Sequence, residues 1–267
     1  VVNVAVFDLI GPFAHFRKYY TNSSSLSYAF PPRTVLMGVV AAILGWERDS
    51  YYEKLGLSEA RFAVVIKVPV RRLIQTVNYI RTKEEDLARL RKLGVMKGTQ
   101  VPLELLLPGG AASSLCFRVY FAHRDENVTR ELRERLATGR SCYPLYLGLS
   151  EFIAQARLVY YGPPDEVIPA GREVVLHSVL VADYLRRPAL RGDVVLGRER
   201  APQSFGAGRK LMPPGNYIYE TQARPWQAEL SVPVYSFSLS SGKETVAFME
   251  GELWPSSPTV RESASIA

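Results

Sequence analysis

VNVAVFDLIGPFAHFRKYYTNSSSLSYAFPPRTVLMGVVAAILG, residues 2–45, decides how the chain is read. Val2 to Leu9 is short, apolar and rich in β-branched residues, the pattern of a buried strand. Gly11-Pro12 ends it. Phe13 to Tyr28 is a polar, aromatic loop. Pro31-Pro32 then opens a helix, since proline is tolerated in the first turn. Val35, Leu36, Val39, Val40, Ile43 and Leu44 keep the helical period, and Gly38, Ala41 and Ala42 permit close packing. Gly45 supplies the C-terminal stop.

Working outward, Phe62 to Val70 reads as a second strand, with Pro69 near its end. Ser114 to Ala122 (SLCFRVYFA) reads as a third, with Phe117, Val119 and Phe121 on one face and Arg118 and Tyr120 on the other. Asn127 to Leu136 is a short helix with Val128, Leu132 and Leu136 aligned and Gly139 closing it. Phe152 to Tyr160 is a fourth strand. The order β-α-β-β-α-β is that of a split βαβ unit. The expected fold is therefore α+β, with a ferredoxin-like domain over residues 1–162. RNA-recognition domains share this topology.

The insertion from Arg71 to Ser113 carries a helix with Leu87 and Leu90, entered by a capping box at Thr82-Lys83-Glu84-Glu85 and stopped by Gly94. Arg72 to Ile80 and Thr99 to Leu107 flank it as two extended pieces that can pair as a protruding hairpin. So long a basic excursion suits reaching for a partner better than folding back. After Gly162-Pro163-Pro164, strands at Val174–Val181, Tyr217–Tyr219, Val232–Leu239 and Thr245–Leu253 imply a small β-rich subdomain over 163–254. Arg198 to Lys210 reads as a mobile basic loop, and 255–267 as a flexible tail.

The 267 residues carry 33 Lys+Arg against 26 Asp+Glu, a net charge of +7. The excess is confined to residues 1–160, where 22 basic face 14 acidic side chains; the remainder holds 11 and 12. That asymmetry favours a polyanionic partner. Two cysteines exclude a disulfide framework or a cysteine-based zinc cluster, and buried apolar packing is the expectation for Cys116 and Cys142. His15, His123 and His177 lack metal-ligand spacing, so no cofactor and no metal is expected. No P-loop, nucleophile elbow or dinucleotide fingerprint is present. No apolar run approaches the ~20 residues of a membrane span, and Val1 to Leu9 lack an export signal, so a cytoplasmic protein is expected.

The loop after the first strand offers cations (Arg17, Lys18), flat rings (Tyr19, Tyr20, Tyr28) and hydrogen-bonding groups (Thr21, Asn22, Ser23, Ser24, Ser25). The first helix directs its positive end and Arg33 toward the same place. This interleaving is what a single-stranded nucleic-acid site requires, although the same residues can simply cover the sheet and form a turn. Metal-independent RNA cleavage needs only an acid, a base and cations, which keeps His15 and His123-Arg124 as candidates for an endonuclease. A third reading is a scaffold whose basic insertion touches only protein.

Residues 7–45, with KGTQVPLELLLP, LCFRVYFA and YPLYLGLSEF following in order, resemble the fifth family of CRISPR-associated proteins. These are RAMP-superfamily subunits of type I Cascade surveillance complexes. The resemblance spans residues 1 to about 160. It implies a ferredoxin-like body with a thumb hairpin, and a non-catalytic role capping the 5′ handle of crRNA beside a backbone RAMP subunit and the large subunit. Target DNA would be met only indirectly, and no membrane is involved. By resemblance the handle runs along Arg17 to Tyr28, Arg33, the thumb base (Arg71, Arg72, Gln75, Asn78, Tyr79, Arg81, Lys97, Gln100) and Tyr146-Leu147-Gly148, the glycine allowing close backbone approach. LCFRVYFA lacks the glycines of the usual RNA-recognition consensus, so the grip is expected from loops and thumb rather than an open sheet face. A branch of the family cleaves precursor crRNA with tyrosine, lysine and histidine. Here Trp46 and His123-Arg124 stand near those positions, a departure that implies processing by a separate nuclease.

Overall fold

A computed structural model describes residues 2–22, 24–80, 83–94, 98–189 and 192–254. The chain is α+β, with several antiparallel sheets and, among the described residues, three α-helices. In the first part the elements are β1 (Val4–Gly11), β2 (Phe16–Arg17), β3 (Ser27–Tyr28), α1 (Arg33–Leu44), β4 (Ala60–Ile66), β5 (Val70–Ile80), α2 (Glu84–Leu93), β6 (Gly98–Pro108), β7 (Leu115–His123), α3 (Glu126–Ala137) and β8 (Gln155–Gly162). The second part contains β9 (Glu166–Ile168), β10 (Glu173–Leu176), β11 (Leu180–Val181), β12 (Leu185–Ala189), β13 (Leu196–Ala201), β14 (Gly215–Glu220), β15 (Trp226–Leu230), β16 (Val234–Leu239) and β17 (Gly242–Val246).

The central sheet has the order β4-β7-β1-β8, every pair antiparallel. Phe7 lies opposite Val119 and Phe62 opposite Phe121. One face of this sheet buries Phe7, Leu9, Phe62, Val64, Phe117, Val119 and Phe121 against Leu36, Met37, Val40 and Ile43 of α1 and Leu132 and Leu136 of α3. The other face buries Val4, Val6, Ala63, Val65, Tyr120 and Ala122 under Tyr235, Phe237, Leu239, Val246 and Phe248. Burial on both faces explains why β1 and β7 read as continuous apolar runs rather than alternating ones.

The local signals of α1 hold. Pro32 is its N-cap and Gly45 its left-handed C-cap at φ 76°, with the Gly45 N–H donating to Ala41 O. In α3, Asp125 caps by accepting from the Asn127 N–H. In α2 the N-cap is Lys83, which makes no side-chain cap bond; the capping box expected to begin at Thr82 falls on a residue outside the described ones. Three acidic residues in its first turn and two basic ones in its last instead complement the helix dipole.

Other boundaries shift. β4 stops at Ile66 and Val70 opens the arm, because Pro69 has no N–H to continue a ladder. The fourth sheet strand starts at Gln155, not Phe152. The expected mobile loop at Arg198–Lys210 begins as β13, paired in register with β14 from Leu196↔Glu220 to Ala201↔Gly215. Its charged sequence alternates sides, so Glu199 is buried while Arg198 and Arg200 are not, which hides the strand from an apolar-pattern search. Cys116 is half-buried as packing, and burial pushes its thiol up to about 11, but Cys142 is exposed beside Arg135. The expected tail, 255–267, lies outside the described residues. No helix among the described residues is long and apolar enough to cross a membrane.

One polar knot sits inside the second core. Arg118 donates to Asp8 Oδ1 and Oδ2 at 2.7 and 3.0 Å and to Glu244 Oε1 at 2.6 Å, while Tyr120 donates to Glu244 Oε2 at 2.6 Å. It ties β16–β17 to the central sheet. Replacing Arg118 by Ala strands buried carboxylates, so a loss of about 3–5 kcal/mol is expected. The shift in denaturant midpoint measures it, with Val119→Ala as a packing control.

Candidate nucleic-acid interface

The arm is a two-stranded ribbon, β5 against β6, in unbroken register from Val70↔Pro108 to Ile80↔Gly98. β5 is exposed along nearly its whole length and α2 buries none of its residues. The expected hairpin with a helical tip is thus present. Its base is stitched to the loop that follows β1. Ala14 and Leu106 exchange backbone bonds of 3.1 and 2.8 Å, the Ser25 N–H donates to Pro102 O at 2.9 Å, and the Glu104 N–H donates to Ser25 O at 2.9 Å.

A cleft of about 290 Å³ opens between them. Arg17, Asn22, Ser24 and Ser25 line it from the loop, Tyr79 and Val101 from the arm, Val35 from the first turn of α1, and Gly148 and Leu149 from the segment before β8. Loop, arm, helix start and glycine segment, four pieces singled out in the sequence, therefore meet at one place. A second opening of about 400 Å³ lies at the arm's root, between Phe13, Arg71 and Gly109-Gly110.

The expected contact residues divide by exposure. Arg17, Tyr19, Tyr20, Asn22, Arg71, Gln75, Asn78, Tyr79, Gln100 and Tyr146 present side chains to solvent, with Tyr20 half exposed and stacked edge-on against Tyr19 at 5.1 Å. Thr21 and Ser24 are half-buried. Ser23, Arg81 and Lys97 lie outside the described residues.

The remaining expectations are corrected. Arg33 is wholly buried: its guanidinium pairs with Glu250, donates to Gln203 O, Leu55 O, Gly56 O and Ala60 O, and packs over Phe62. It is a core clamp and reaches no cleft. Tyr28 is buried as well, and burial raises its phenol's pKa. Leu147 is fully buried. Ser25 is committed to His15. Gly148 is glycine for an internal reason: at φ +93° a Cβ would stand 1.9 Å from His15 O, so the protein's own backbone occupies the space.

Two cations are also paired with the protein's own carboxylates. Lys18 Nζ lies 2.7 Å from Glu199 Oε2, and Arg72 bridges Glu199 Oε1 and Glu104 Oε2, both at 3.1 Å. Glu104 Oε2 further accepts the Ser27 N–H at 2.8 Å. Sequence reasoning missed both carboxylates. Glu104 was detectable as the lone acid within the apolar run VPLELLLP, whereas Glu199 was hidden in the supposed loop.

The histidines are committed too. His15, expected in an open loop, is buried, with Nδ1 on Glu104 O and Nε2 on Ser25 Oγ, both at 2.8 Å. His123 Nδ1 accepts from the Asp125 N–H at 3.0 Å, and its Nε2 lies 2.8 Å from Lys54 O. Among the described residues no cluster of His, Cys, Asp or Glu could hold a metal.

Residues 5–101 of the chain match the family model of the CRISPR-associated protein Cas_Cas5. Among solved structures it is similar to a CRISPR protein from Archaeoglobus fulgidus, at 13% identity and TM-score 0.54, covering 91% of this chain and 98% of that one. It is also similar to a chain from a CRISPR RNA-guided surveillance complex, at 16% identity and TM-score 0.47, covering 83% and 91%. No curated protein matches it.

Burial, the first cause, and then the Arg17 charge hold the His15 imidazole below its ordinary 6.5. His177 is lowered likewise, by burial above all. The unfolded chain therefore binds more protons than the folded one below about pH 6.5, and stability falls as pH drops through that value. Urea midpoints at about pH 7.5 and about pH 5.5 are expected to show this loss, reduced in His15→Gln.

Proposed function

We propose that the chain is a non-catalytic subunit of a type I CRISPR surveillance complex of the Cascade kind. In this reading it binds and caps the 5′ handle of crRNA in the cytoplasm, beside a backbone RAMP subunit and the large subunit. We also read its body as ferredoxin-like. The sheet order β4-β7-β1-β8, with α1 and α3 on one face, supports that name.

The observation that carries the functional reading is the cleft itself. It puts an exposed guanidinium, Arg17, across from an exposed ring, Tyr79, with the Asn22 amide and the Ser24 hydroxyl between. Stacking surface plus cation plus hydrogen-bonding groups fits a single strand and is tolerant of sequence. The covered second face of the sheet fits the same reading, since bases have no open sheet to stack on. The committed ring nitrogens of His15 and His123 support binding without cleavage.

Fluorescence anisotropy with labelled handle RNA tests this. Affinity should fall with salt, and Arg17→Ala should lower the salt slope by about one. Tyr79→Ala should weaken binding by about 1–3 kcal/mol. Arg33→Ala should instead cost stability. Absence of handle binding at near-physiological salt sinks the proposal. Repeat RNA cut in EDTA, with cutting lost in His123→Ala, would establish the endonuclease in its place.

A further inference from the structure

We propose that the RNA path continues past the cleft to a second single-strand subsite, formed by Tyr51, Tyr146 and Arg209 one helical turn along α1. The inference rests on the RNA-binding reading above and extends it to the loop between β13 and β14.

That loop is held in shape. Phe205 and Leu211 form a β-bridge, the Gly206 N–H donates to Lys210 O at 2.8 Å, and the Met212 N–H donates to Ser204 O at 3.2 Å. Its root is gripped by Arg33, whose Nη1 donates to Gln203 O at 3.1 Å. Its Phe205 ring sits 5.1 Å from Tyr52, which stands 4.9 Å from Tyr51. Tyr52 is fixed in turn by Asp49, and burial, then that hydrogen bond, pushes its phenol up to about 12.

At the loop's tip two successive residues adopt left-handed backbone, Gly208 at φ 66° and Arg209 at φ 62°. For arginine that conformation is strained, and such strain collects at functional positions. It holds an exposed guanidinium 6.0 Å from the Phe205 ring. Unlike Lys18 and Arg72, Arg209 has no carboxylate at ion-pair distance among the described residues. Ring contacts thus lead from Tyr51 through Tyr52 and Phe205 to the Arg209 guanidinium, and the Tyr51 phenol, raised first by burial, also feels the charges of Arg209 and Tyr146.

Continuity with the cleft comes from α1 and the segment before β8. Val35 lines the cleft, and the Tyr51 hydroxyl covers Gly38, 3.5 Å from where a Cβ there would stand. Three residues on a helix advance about 4.5 Å. Tyr146, 45% exposed, lies two residues before the cleft's Gly148. Aromatic faces beside an unneutralised cation suit a stacked base and its phosphate. A protein partner would call for a broader apolar face.

Oligouridylates of roughly four and roughly twelve nucleotides separate the two subsites by reach. With the longer probe, Arg209→Ala should weaken binding about tenfold and lower the salt slope by about one, and Tyr146→Ala should also weaken it. With the shorter probe Arg209→Ala should bind as the parent does. Thermal melting checks that the exposed substitutions leave the fold intact. If the parent binds the longer probe and Arg209→Ala matches it, the second subsite is overturned. Equal losses at both lengths, or unchanged RNA binding with failed assembly into the complex, overturn it as well. If the parent binds neither probe, the RNA-binding reading itself has failed.

Discussion

Two buried carboxylates, Glu104 and Glu199, hold the interface together. Each sits where an unpaired charge would be costly, and each is matched only when pieces distant in sequence converge: Lys18 from the early loop, Arg72 from the arm, Glu199 from β13. Burial of such groups without partners costs several kcal/mol per ion, so the bracket makes the arrangement all-or-none. The arm would otherwise be a lone two-stranded ribbon, marginal in water. Pinned at its base, it becomes one wall of a cleft.

The bracket also decides which cations remain available. Lys18 and Arg72 are paired with the protein's own carboxylates, while Arg17, Arg71 and Arg209 keep their charges toward solvent. A basic segment is therefore not a basic surface. What a polyanion meets is the fraction of the positive charge left over after the fold has paired its own.

The same division appears in the core. Covering both faces of the central sheet removes it as a binding platform and moves recognition to the sheet's margins, where loop, arm and the start of α1 meet. Arg33 follows that logic. It lies one residue past the Pro32 N-cap, where a cation facing outward would have been expected, yet it turns inward and ties α1 to the 56–60 turn, to Gln203 and to Glu250.

The strands, helices and arm were legible because their signals are local: apolar runs at β1 and β7, helical period with Pro32 and Gly45 at α1, two extended pieces around a helix. β13 was not, because its buried side carries the charged Glu199 beside Ala201, so no apolar alternation marks it. Which residues meet was partly legible, since the loop, the arm and Gly148 do converge, the arm through Tyr79 and Val101 rather than through its root. Which of them are free was not. Exposure of Arg33, Tyr28, Lys18 or His15 depends on Glu250, Glu199 and Glu104, dozens to hundreds of positions away, and no pattern along the chain encodes the distance between such groups. Local order followed from the residues themselves; the surviving charge and the reason Gly148 has no side chain came only from tertiary packing, because both depend on what lies across the fold rather than along it.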